Sequence, residues 1–160
     1  MGRLAATGLA TALSLLVAAP ALSRPLPNGG VTAPEVAEVL QALGFKVTES
    51  KDGDGDPMLR SSDGNIEFGI YFYECPKADG AAPVRCPSIQ FLTMRSSPPN
   101  PQAVAKWNQA KRFTRAYQTQ DNRVYIEMDA ELSQGISTEH ITRLVYRWSG
   151  ALADLGKALP

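Results

Sequence analysis

Between residues 66 and 73 the chain reads IEFGIYFY, with Ile66, Phe68, Ile70 and Phe72 alternating against Glu67, Gly69, Tyr71 and Tyr73. Successive side chains leave a strand on opposite sides, so a period of two over this length requires a β-strand buried on one face. Cys75 follows at once, and the only other cysteine, Cys86, precedes a second alternating run, PSIQFLTMR. These two runs read as adjacent antiparallel strands whose ends the cysteines tie across the loop PKADGAAPVR. An even cysteine count in an exported protein normally pairs. Closing a Pro- and Gly-rich loop of this size is worth about 3 kcal/mol in the chain-entropy account of disulfides. Neither cysteine lies in a C-x-x-C pair, which argues against thioredoxin-like redox chemistry.

Export is itself read from the N-terminus. In MGRLAATGLATALSLLVAAPALSRP, Arg3 supplies a positive start, Leu9 to Ala19 an uncharged stretch, and the Ala and Ser residues before Arg24 a small-residue cleavage site. The apolar run is short for a bilayer, which needs about 20 such residues, so no stable membrane insertion is expected after cleavage. Residues 1–23 are therefore expected to be a signal peptide, 24–31 a flexible N-terminus and 32–156 one domain, placing the protein in the periplasm or outside the cell. The 160 residues carry 16 Lys plus Arg against 16 Asp plus Glu, and the leader removes only Arg3. A chain so near neutrality lacks the clustered basic surface that nucleic acid or an anionic membrane requires.

Along the domain, TAPEVAEVLQALG opens with Thr32 and Glu35 in capping-box spacing and sets Val36, Val39, Leu40 and Leu43 on one helical face. FKVTES, PMLRSS and the two alternating runs read as strands separated by Asp-Gly turns. Asn100 and Pro101 open a middle helix, FTRAYQTQ and VYIEMDAEL form a hairpin around Asp121 and Asn122, and a long helix starts at Ser137. Its stripe runs through Ile141, Leu144, Val145, Trp148, Leu152 and Leu155. The order implies an α+β fold, an antiparallel sheet covered by helices mainly on one side.

Sites are fewer. Asp52, Asp54 and Asp56 match the first ligand positions of an EF-hand loop, but Pro57 stands where the loop needs its glycine and no helix flanks the stretch. The reading is a hairpin turn, with no metal or other cofactor expected. His140 is the only histidine, sits in the first turn of the last helix and is expected to be solvated; no nucleophile-elbow or phosphate-loop motif occurs. The densest polar and aromatic cluster is KWNQAKRFTRAYQ. Trp107 and Phe113 are read as core, while Arg112, Arg115 and Tyr117 could form a rim recognising an acidic group or a partner chain. A two-residue turn at Asp121 and Asn122 would set Arg115 opposite Met128; a slip of one residue would bring it towards Glu127 and Asp129.

KWNQAKRFTRAY, with DGDGDPMLR, FGIYFYEC, CPSIQF and YIEMDAEL, resembles the YbjN family, described as regulators of bacterial sensory transduction. The resemblance runs from about Thr32 to Ala151 and is carried by the motif residues Trp107, Asn108, Arg112 and Phe113, with Asp54, Gly55, Asp56 and Pro57 as a turn. It implies an α+β fold like that of type III secretion chaperones, no known enzymatic activity and an unsettled molecular role. A non-enzymatic exported interaction module is the expectation, with Tyr71 and Tyr73 on the outer strand face as candidate partner surface. Its partner would be an unidentified protein, a homodimer being one option. A periplasmic sensor of a small ligand or cation is the alternative.

Overall fold

The computed structural model describes residues 23–158 except 78, 79, 81, 97 and 99. The expected leader, Ser23 apart, lies outside the described residues. The elements are α1 (Ala33–Ala42), β1 (Thr48–Lys51), β2 (Pro57–Asp63), β3 (Ile66–Tyr73), β4 (Ser88–Ser96), α2 (Pro101–Ala110), β5 (Arg115–Gln118), β6 (Arg123–Glu131) and α3 (Thr138–Ala158). All six strands form one antiparallel sheet in the order β1-β2-β3-β4-β6-β5. The α+β expectation holds.

Helix boundaries follow the caps. Thr32 accepts from the Glu35 amide and its own amide donates to the Glu35 carboxylate, the reciprocal pair that its spacing predicts. At the other end Gly44, with φ of +89°, lets Gly44 and Phe45 donate back to Gln41 and Leu40, a Schellman closure. The Asn100 side chain caps α2 at the Ala103 amide, 3.0 Å away.

The inner sheet face carries Leu59, Phe68, Ile70, Phe72, Ile89, Phe91, Val124, Ile126 and Met128, all buried. Against it lie α1 and α3, whose Trp148 packs on Phe68 and Phe91 with ring centroids 6.0 and 5.7 Å away. The residues of the α3 stripe are all buried, as their spacing predicts. Among the described residues no helix lies on the other sheet face.

Cys75 and Cys86 form a disulfide two residues beyond the last β3–β4 pair, Tyr73 and Ser88. Cys86 also exchanges both backbone hydrogen bonds with Val31, at 2.8 and 3.0 Å. Gly30 is required there, because a Cβ on it would stand 1.9 Å from the Cys86 carbonyl oxygen. Residues 24–31, expected to be flexible, are thus laid along the domain: Leu26 donates to Ile136, Gly29 to Ser133 and Thr138 to Arg24. Composition gave no hint of these pairings, since Pro, Asn and Gly suit a fixed irregular path as well as a loose one.

Two further expectations are corrected. Phe113 is not core but 54% exposed, with the Arg147 guanidinium 4.3 Å above its ring. Trp107 alone takes the inner position. The β5–β6 turn has three residues rather than two: Thr119 pairs with Arg123, Asn122 donates back to Thr119, and Asn122 adopts a φ of +59°. Asparagine tolerates that conformation, and the third residue of such a loop requires it.

Candidate functional site: the open sheet face

The side chains that leave the sheet away from the helices come from alternate residues of each strand. They are Thr48 and Ser50 on β1, Met58 and Arg60 on β2, Gly69, Tyr71 and Tyr73 on β3, then Gln90, Leu92 and Met94 on β4. Tyr125, Glu127 and Asp129 on β6 and Arg115 and Tyr117 on β5 continue the face, with Ser62, Glu67, Ser88, Ser96, Arg123 and Glu131 towards its ends.

The three-residue turn decides the register here, setting Arg115 directly opposite Glu127 and Tyr117 opposite Tyr125. Of the two registers the sequence left open, the slipped one is realised. Glu127 is only 4% exposed although it lies on the uncovered side. One carboxylate oxygen accepts from Arg115 Nε at 2.8 Å, and the other from the Tyr117 hydroxyl at 2.6 Å. Tyr117 stacks on Tyr125 with centroids 5.1 Å apart. Its phenol is pushed up to about 12, first by burial, then by its hydrogen bond to Glu127 and the charge of that carboxylate. On β3 the Tyr73 hydroxyl donates to Gln90, whose amide donates to Asp129 at 2.7 Å. Burial, and then the Glu127 charge, raise the Tyr73 pKa as well.

Tyr71, Tyr73, Arg115 and Tyr117 therefore share one face, the two pairs standing on strands three spacings apart, about 14 Å. Arg112 does not join them; it lies exposed in the turn between α2 and β5. Beside Gly69 a groove of about 450 Å³ opens, lined by Lys46, Arg60, Tyr71, Leu92 and Met94 among others. A Cβ on Gly69 would meet the Tyr71 ring at 2.8 Å, so this glycine is what lets the ring lean across its neighbour. Gln90, Tyr125 and Gly69 were not singled out from the sequence. Alternation placed Gly69 on the outer side, but the register that joins the others was needed to find them.

The family motif has a mechanical role. Asn108 of α2 reaches to Ala116, its amide donating to the carbonyl at 2.9 Å and its oxygen accepting from the backbone amide at 2.7 Å. It thus supplies the outer edge of β5 with the pair of bonds a neighbouring strand would give. Trp107, 2% exposed, anchors the helix and donates to Thr114. In the Asp-rich turn, the Asp52 carboxylate accepts from the Asp54 and Asp56 amides, each at 3.0 Å. Among the described residues no group of three or more His, Cys, Asp or Glu could hold a metal ion. His140 is exposed.

Residues 32–160 match the family model for YbjN, "Putative bacterial sensory transduction regulator". The chain belongs to the YbjN family. It is a family with no known catalytic activity. Among solved structures, the chain is similar to the crystal structure of E. coli YbjN, described as "a putative transcription regulator", with 15% sequence identity, a TM-score of 0.54, and coverage of 78% of this chain and 90% of that one. At that identity the likeness shows a shared YbjN fold. No curated protein matches the chain. The KWN stretch by which the sequence resembles the YbjN family is the stretch that closes the β5 edge. No helix of the described residues is long and apolar enough to cross a membrane.

Proposed function

We propose that this YbjN-family chain is an exported, non-enzymatic interaction module of sensory transduction whose open sheet face holds a protein partner. The observation that carries the reading is that face: a sheet side free of helices among the described residues, on which Tyr73, Met94 and Tyr117 stand exposed around ordered polar pairs. Aromatic and methionine side chains beside fixed hydrogen-bonding groups are the composition of a protein-binding surface. The polar pairs are already satisfied within the domain, so a partner would bury them without stranding a charge.

Alanine at both Tyr71 and Tyr73 should abolish capture of the partner in an in-vivo crosslinking pull-down while leaving the melting temperature near that of the parent. Undiminished capture would count against this face. Export is supported by the leader-like N-terminus and by the disulfide, which suits an oxidising compartment. Thiol labelling of the denatured, unreduced protein should find no free cysteine.

The sensor alternative draws less support. Arg115 and Tyr117 are engaged with Glu127, and the Asp52 carboxylate with backbone amides, so these groups are already committed within the domain.

A further inference from the structure

The two edges of the sheet are treated differently. On β5 the outward backbone groups of Ala116 are taken by Asn108. On β1 nothing comparable occurs. Asp52 donates to Asp56, so Ser50 and Thr48 point their backbone groups inward at β2, and those of Glu49 and Lys51 point outward. Among the described residues no hydrogen bond reaches those outward groups, and the exposed Glu49 and Lys51 side chains make no ion pair.

We infer that the β1 edge is a dimerisation surface on which a second copy of this chain pairs β1 against β1, antiparallel, with Ser50 facing Ser50 at the two-fold axis. The argument is charge complementarity within hydrogen-bonding parity. Only registers that set outward-facing residues against each other use the free groups, which leaves three choices near the strand centre. Centring on Glu49 sets two glutamates opposite each other, and centring on Lys51 two lysines, both repulsive. Centring on Ser50 sets each Glu49 opposite a Lys51 twice over, the self-complementary pattern of an isologous interface. The sheet would continue through the axis with both open faces on the same side. An edge of four residues makes a small interface, so the dimer is weak and concentration-dependent. This inference stands apart from the proposed function, since it uses the strand edge and not the Tyr71 and Tyr73 face.

Sedimentation equilibrium of the full chain from micromolar to millimolar concentration tests it. A reversible monomer–dimer equilibrium is expected, weakened about tenfold or more by either Glu49→Lys or Lys51→Glu, which turn both attractive pairs into like pairs. The double swap Glu49→Lys with Lys51→Glu should restore it, an outcome that misfolding of the single variants would not give. Ser50→Cys provides a second readout. At a non-hydrogen-bonded pair the two Cα atoms stand about 4.5 Å apart, within disulfide reach, so this variant should form a covalent dimer on oxidation and Thr48→Cys should not. A chain that stays monomeric to millimolar concentration would mean that Glu49 and Lys51 guard the edge, and would overturn the inference. So would a double swap as weak as the single changes, or equal crosslinking at positions 48 and 50.

Discussion

A carboxylate on the uncovered side of a sheet would ordinarily be solvated, yet Glu127 is almost fully enclosed by the residues that neighbour it across strands. What keeps it there is that both oxygens are used, one by Arg115 and one by the Tyr117 hydroxyl. Tyr117 records this arrangement in its own titration, since its phenol is pushed up to about 12 by burial and by Glu127. In Glu127→Gln the negative charge is gone, the phenolate is no longer repelled, and the Tyr117 pKa should fall towards the ordinary tyrosine value of about 10. Ultraviolet or NMR titration against Tyr117→Phe reads the change. Arg115 is largely exposed, so the accompanying loss of stability should be modest, on the order of 1 kcal/mol.

Among the elements, β5 is the one most in need of support, four residues long and bonded to a strand on one side only. Asn108 answers that need from α2, and the far end of the strand is held by Gln118, which accepts from the Asn100 amide at 2.9 Å. Asn108→Ala leaves the Ala116 amide and carbonyl to water or to nothing. The expected cost is about 1–3 kcal/mol, with faster amide hydrogen exchange at Ala116 than elsewhere in the sheet. That a helix would follow Asn100 and a strand Thr114 was legible from caps and alternation. That Asn108 would stitch the two together was not, because a side chain's reach to a strand edge has no periodicity to betray it. The same limit explains Phe113: a lone aromatic between helix and strand carries no period, and only the position of Arg147 on α3 shows that its ring is capped from outside. The hairpin register stayed open for a related reason, since Asp121 and Asn122 announce a turn without fixing its length. The cysteines were readable throughout because two alternating strands left one way to join them.

At the scale of the molecule, Arg85 holds together three parts that are distant in sequence. Its guanidinium donates to both oxygens of Glu35 at 2.8 and 2.9 Å and to the Gly30 carbonyl at 2.7 Å, joining the disulfide loop, α1 and the N-terminal segment. Burial works to raise the Glu35 pKa, but the Arg85 and Thr32 hydrogen bonds with the Arg85 charge outweigh it, and the carboxyl ends below its ordinary value of 4.5. The unfolded chain therefore takes up this proton first as pH falls. The contribution is whole above the ordinary carboxylate range and drains away as pH drops through it to the lowered folded value. Glu35→Gln should cost on the order of 2 kcal/mol at neutral pH, and the gap from the parent should shrink in acid, as denaturant melts at several pH values would read. The single domain and its helical cover were foreseeable from stripes and alternation, whereas this three-way junction joins residues whose spacing follows no pattern. Arg24 is fastened to Glu38 on α1 and Thr138 on α3, on the helical side of the sheet. Tension applied at Arg24 would meet the Thr138 bonds first and then the Leu26, Gly29 and Val31 backbone bonds, beyond which Cys86 is joined covalently to Cys75.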